Sequence, residues 1–428
     1  MRDLLVACIV FGSLPFFLKR PFWGILMLAA LGYMNPHRLC YGFMLSMPVV
    51  QIVAIFTLIG MLLSKEAKRM VWSREIVVLL CLIAWMGLTT TQAFYVDRAM
   101  DQYVKVLKIQ ILTFMTLLML TSREKVHLFI WVIVLSLGFY GVKGGIFTIL
   151  NGGAYRVQGP MGTFIGGNNE MALALVMTIP LMRYLHLQEK RKFIKIGLAA
   201  GMVLSTLAAV GTQSRGALVA LLITGGIFWL KSRTKLASAI FIGLSIFVVA
   251  LVMPESWYER MNTIQSYEVD KSALGRINAW WTAANVASDR IFGGGFDMWG
   301  PMVFQRYAPD PTNVRDVHSI YFEMLGEQGF VGLAMFLGLL IMTWLKCSAV
   351  IRVARRNADL GWARDLAAMV QVSVIGYMSA GAFLGLAYFD YAYHLIAVAV
   401  VVHHLVHQAG SVTDPVAVTA QGTPSTNR

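Results

Sequence analysis

Charge is scarce in this sequence. Only 14% of its 428 residues are Asp, Glu, Lys or Arg, while 57% are hydrophobic. A soluble domain carries about 25% charged residues, so a water-soluble globular fold is excluded. Cysteine is scarcer still. Cys8, Cys40, Cys81 and Cys347 lie in or beside apolar segments and show no paired spacing, which speaks against a disulfide framework and a thiolate zinc site. Acids are the rarer sign, 22 Asp and Glu against 36 Lys and Arg, for a net charge of +14. Such a balance can point to nucleic acid, but positive residues also collect in the cytoplasmic loops of membrane proteins. The second explanation fits a chain this apolar, and no nucleic-acid partner is expected. No small-residue processing site follows the first apolar run, so the N-terminus is expected to stay as a membrane segment.

What the sequence does have is apolar runs long enough to cross a bilayer. They fall at about 3–18, 21–35, 45–63, 76–94, 103–121, 126–148, 168–186, 194–211, 215–231, 235–253, 320–346, 365–387 and 391–407. The fold class expected is an all-α polytopic membrane protein. Basic clusters at Lys65–Arg74, Arg123–Lys125, Lys190–Lys195, Lys231–Lys235 and Lys346–Arg364 alternate with the other loops, so their side reads as cytoplasmic. Lys19-Arg20 divides the first two runs. One net crossing over 1–35, made of broken short helices, gives about 12 transmembrane helices; two crossings give 13. The domain expectation is a membrane region over 1–253, a periplasmic loop domain over 254–319, closing membrane helices over 320–407 and a disordered cytoplasmic tail over 408–428.

The long loop is rich in aromatic residues, among them Trp257, Tyr258, Tyr267, Trp280, Trp281, Trp299 and Tyr307. A loop of this length is usually folded and functional. Residues 274–288 read as an amphipathic helix. Three residues fall on its side of the membrane: Arg215 between two spans, Arg276 in the loop, and His318 where the loop meets the next helix. Arginine stays charged and donates in a planar fork that suits phosphate oxygens. Histidine titrates near neutral pH and can act as a base. Together they suggest a lipid pyrophosphate substrate, and the three are expected to share one cavity. Asp390 and His394 open the last span on the same side, where a carboxylate could orient a histidine or a sugar. His403-His404 and His407 lie at the other end of that span and read as an interfacial anchor. Gly144, Gly145, Gly152 and Gly153 read as close-packing or turn residues.

Thr212-Gln213-Ser214-Arg215-Gly216, then Gly275-Arg276, then His318-Ser319-Ile320-Tyr321-Phe322-Glu323 with Leu325-Gly326-Glu327 and Gly329, resembles the O-antigen ligase and Wzy polymerase superfamily. Within it, the pattern is most similar to O-antigen ligases and exosortase-associated O-glycosylation ligases. Tyr155–Pro160 and Gly167–Ala172 add to the likeness, which covers nearly the whole chain. Many relatives have asparagine where this chain has Ser319. The resemblance implies a GT-C-like membrane fold and an inverting, metal-independent glycosyltransferase with no cofactor. In that reading His318 activates the acceptor hydroxyl. Arg215 and Arg276 hold the pyrophosphate, and Arg156, Asn169 and Tyr321 join the substrate site. The donor would be an undecaprenyl-pyrophosphate-linked glycan and the acceptor lipid A–core, met at the periplasmic face of the cell inner membrane amid membrane lipid. A protein O-oligosaccharyltransferase or a polysaccharide polymerase of the same fold is the alternative. A lipid-linked glycan transporter is a third reading, disfavoured because few charges fall mid-span and no internal repeat is convincing.

Overall fold

The computed structural model describes residues 1–262 and 271–412, with backbone alone for 271–272 and 410–412. Tyr267 and the tail beyond 412 lie outside the described residues. Among the described residues there are sixteen α-helices and no strand. The first ten are α1 (Arg2–Lys19), α2 (Pro21–Tyr33), α3 (Val49–Leu63), α4 (Arg74–Thr91), α5 (Val96–Met119), α6 (Arg123–Leu150), α7 (Asn168–Gln188), α8 (Lys192–Gly211), α9 (Arg215–Lys231) and α10 (Lys235–Val252). Three helices form the long connection: α11 (Glu255–Asn262), α12 (Lys271–Asp289) and α13 (Pro301–Tyr307). The last three are α14 (Ile320–Ala354), α15 (Gly361–Gly381) and α16 (Asp390–Val412). Eight of these are long and apolar enough to cross a membrane by length and composition, and α2 and α3 are shorter apolar helices. The chain is an all-α, multi-pass membrane protein.

The basic junctions meet at one end. Lys346 of α14 pairs with Glu75 of α4, and Lys125 of α6 with Glu66, at 2.8 Å for the latter. Arg233 reaches Asp365 at 3.6 Å, and Lys231 donates to Gln371 at 2.7 Å. Helices α7, α15 and α16 form the centre: almost every residue of their middles is buried. A helix apolar all round must be enclosed by others or by lipid, and here other helices enclose it. By contrast, α10 is mostly exposed at the rim.

The expectation of a single net crossing over 1–35 is corrected. Asp3, at the start of α1, accepts hydrogen bonds from Gly42 N and Met44 N, just before α3 begins. At the other end, Gly60 of α3 lies so close to α1 that a β-carbon there would come within 2.2 Å of Phe17 O. Helices α1 and α3 therefore run side by side in the same direction. Helix α2 returns, from Phe22 N near Glu66 Oε2 to Tyr33 beside His394. The chain turns at Arg20 because Pro21, at the first position of α2, cannot continue the preceding ladder and disfavours helix in the residue before it. The first two helices are a hairpin.

Two boundaries differ usefully from the sequence reading. Helix α5 begins at Val96, seven residues before 103, and so takes in Arg98 and Asp101. Helix α14 kinks at Gly329, whose φ of 67° and ψ of −175° no residue with a side chain adopts easily. The segment 291–300 fills the kink. Gly294 N donates to Gly326 O at 2.7 Å and Gly295 N to Glu327 O at 3.0 Å. The buried Glu327 carboxylate accepts from Asp297 N (3.0 Å), Trp299 Nε1 (3.2 Å) and Tyr388 Oη (2.7 Å). Membrane helix and loop are thus locked into one body. Gly144 and Gly145 let α6 approach α8, and Gly152 and Gly153 take positive φ in the turn that follows.

A candidate anion site lined by arginines

The α8–α9 junction is built by the Thr212–Gly216 sequence. Thr212 Oγ1 closes the end of α8 on Ala209 O at 2.6 Å, and Ser214 Oγ caps α9 by accepting from Ala217 N at 3.2 Å. Between them Gln213 takes a left-handed φ of 55°. Its side chain spans outward: Nε2 donates to Gly153 O at 3.1 Å, and Oε1 accepts from Arg156 Nε at 3.4 Å. Its carbonyl accepts from Arg260 Nε of α11 at 3.1 Å. Asn168, opening α7, donates to Thr212 O at 3.0 Å. Four segments remote in sequence are gathered on one turn.

They enclose a polar cavity of about 360 Å³, lined by Arg156, Asn168, Asn169, Gln213–Gly216, Arg260, Ala273, Arg276 and Phe383. Among the described residues the lining carries four arginines. Guanidinium forks bind anions with several oxygens well. An apolar groove of about 760 Å³ runs beside it between α7, α8, α9 and α10. The two adjoin at α11: Trp257 and Tyr258 line the groove, while Arg260 lines the cavity.

Arg215, Arg276, Arg156 and Asn169 are therefore brought together as expected, but His318 does not line this cavity. Phe383 lines the cavity and packs on Gly216, where a β-carbon would meet it at 2.8 Å, and Gly381 abuts Ile320. His318 has a left-handed φ of 42°. Trp280 Nε1 donates to Val317 O at 2.8 Å, and the Trp280 ring stacks on Phe322 at 4.9 Å. Since Arg276 and Trp280 are one turn apart on α12, this helix carries a cavity arginine and a clamp on the His318 segment. His318 Nδ1 lies 3.6 Å from Asp316 Oδ2, and among the described residues neither this nitrogen nor the buried Ser319 Oγ has a hydrogen-bond partner.

Three sequence candidates fall elsewhere. Tyr321 Oη donates to Met378 O at 2.8 Å, because its helical phase turns it onto α15. His394 is buried in the bundle, with Nδ1 2.5 Å from Tyr33 Oη and Nε2 3.5 Å from Thr116 Oγ1. Asp390 sits beside Gly32 at the head of α16. These three do not line the cavity. The sequence reading missed Arg260 as a site residue. Its signal was the Trp257-Tyr258-Glu259-Arg260 run after a membrane helix. Among the described residues no group of three or more His, Cys, Asp or Glu side chains is placed to hold a metal ion.

Residues 200–337 match the family model described as O-antigen ligase. That segment supports membership of the O-antigen ligase and Wzy superfamily. Residues 1–190 match a family of unknown function (DUF5935), and no curated protein matches the chain. The ligase-family segment contains Arg215, Arg260, Arg276 and His318, whereas Arg156 and Asn169 come from the other matched segment. In this chain the cavity is built from both. The superfamily assigns the chain, in general terms, to glycan ligation or polymerisation.

Proposed function

We propose that this protein is an O-antigen ligase that moves a glycan from undecaprenyl pyrophosphate to a sugar hydroxyl of lipid A–core, at the periplasmic face of the inner membrane. The observation that carries this reading is the four-arginine cavity adjoining a lipid-sized apolar groove. A polyprenyl pyrophosphate has both parts, a multiply charged head and a long apolar tail. The basic loops gathered at the opposite end of the bundle support the periplasmic side for the cavity.

In the reaction the acceptor oxygen attacks the anomeric carbon as the bond to the pyrophosphate oxygen breaks, which inverts that centre. Charge grows on the leaving pyrophosphate, and Arg156, Arg215, Arg260 and Arg276 stabilise it where it forms. No metal is needed for that charge. His318 takes the hydroxyl proton, and Asp316 Oδ2 lies 3.6 Å from its Nδ1.

The test is transfer by the purified protein, supplied with undecaprenyl-pyrophosphate glycan and, in separate reactions, core lipid or a pilin-like protein. Glycosylated core lipid is the expected product. Modification of the protein acceptor alone would reassign the enzyme as a protein O-oligosaccharyltransferase. Glycan chain growth on the lipid carrier alone would make it a polymerase.

A further inference from the structure

Helix α5 carries a feature the reaction above does not use. Arg98, Asp101, Lys105 and Lys108 recur at helical spacings of three and four, and all four are exposed. They form one stripe down the helix. Lys108 is the thirteenth of the 24 residues of α5, about 18 Å from its start at about 1.5 Å per residue. Among the described residues none of the four takes part in an ion pair. The next face of the same helix exposes Met100, Val104 and Ile111. Charged groups at membrane depth are costly without a partner and mark functional sites by default. A net positive stripe beside an apolar strip, both open to the surroundings, matches a lipid with a phosphate-bearing head. A soluble anion has no use for the apolar strip.

The stripe lies on the flank of the body that holds His318. Phe296 of the kink-filling segment packs on Tyr103 of α5 at 6.1 Å, and the same segment is locked to α14 through Glu327. Asp297 faces the stripe. Partial burial raises its carboxyl, Arg98 and Lys105 oppose that, and Asp316, the neighbour of His318, adds to it.

We propose that the α5 stripe seats the phosphorylated head of a membrane glycolipid, delivering it to His318. The proposal rests on the transferase reading only in calling that lipid the acceptor. Native mass spectrometry tests it on the full-length protein in detergent, with bisphosphorylated lipid A, its dephosphorylated form and phosphatidylglycerol as probes. The wild type should retain bisphosphorylated lipid A over the other two. Lys105→Gln/Lys108→Gln should lose that preference by about tenfold per lost ion contact, and Asp101→Asn should strengthen it. Equal retention by the double variant, or equal retention of phosphatidylglycerol by the wild type, would overturn the seat. Where transfer occurs, the double variant should raise the KM for core lipid about tenfold or more, with donor KM and kcat kept. An unchanged acceptor KM would also overturn the seat. Selective lipid A binding by a wild type that transfers no glycan would leave the seat standing and refute the transferase reading.

Discussion

His318 and Gln213 share an uncommon property: both are non-glycine residues with left-handed backbone, at 42° and 55°. Such conformations cost free energy and persist where the surroundings impose them, often at functional sites. For His318 the surroundings include Trp280 and Phe322; for Gln213 they include Gly153, Arg156 and Arg260. Two outcomes follow at this scale. His318→Ala should lower transfer by about a hundredfold to ten-thousandfold, the usual loss for a general base, with donor affinity kept because the histidine lies outside the arginine cavity. Transfer rate and donor binding measured on the same preparation check this. Gln213→Ala should instead weaken donor binding by about tenfold, since it frees Arg156, whose Nε donates to Gln213 Oε1. A changed kcat with unchanged donor KM would contradict that role.

At the scale of elements, the joint between α14 and the segment 291–300 bears the geometry of the site. Glu327 satisfies three donors from the loop and from Tyr388. Glu327→Ala would leave them without an acceptor, at about 1–3 kcal/mol for each buried group. The expected result is a clear fall in thermal unfolding temperature, with Glu327→Gln closer to wild type. Gly329→Ala should also destabilise, by about 1–3 kcal/mol, because a β-carbon there would lie 2.3 Å from Ile291 O. Unfolding curves matching wild type would refute both. The helices themselves were legible in the sequence, because long apolar runs bounded by charges leave little choice in a bilayer. The direction of the first hairpin was not, since Lys19-Arg20 is too small a cluster to outweigh the larger loops. The division between His318 and the arginines was also hidden: Phe383 lies in an apolar stretch, and nothing in its spacing tells that it folds back onto Gly216. Arg260 was missed as a site residue because its contact with Gln213 O joins residues 47 apart in sequence. The α5 stripe escaped notice because the apolar run starts after Arg98 and Asp101 and so holds only Lys105 and Lys108 of its four charges.

For the whole molecule, the hairpin of α1 and α2 sets the start of α1 and the end of α16 at opposite ends of the bundle. The start of α1 lies with the start of α3, while α16 runs from the site end towards the basic junctions. An N-terminal reporter fusion should therefore read out on the cavity side, and a fusion after residue 412 on the other; the same side for both would restore the single-crossing arrangement. The central claim concerns the four-arginine cavity, and single-turnover transfer by an Arg215→Ala/Arg276→Ala variant tests it most directly. The double variant, folded as judged by its unfolding temperature, should bind undecaprenyl-pyrophosphate glycan more weakly and also transfer it more slowly at saturation. Both effects are expected because the arginines meet the pyrophosphate in the ground state and in the transition state. With EDTA present the wild-type rate should be unchanged. Wild-type rates and affinity in the double variant would contradict the account.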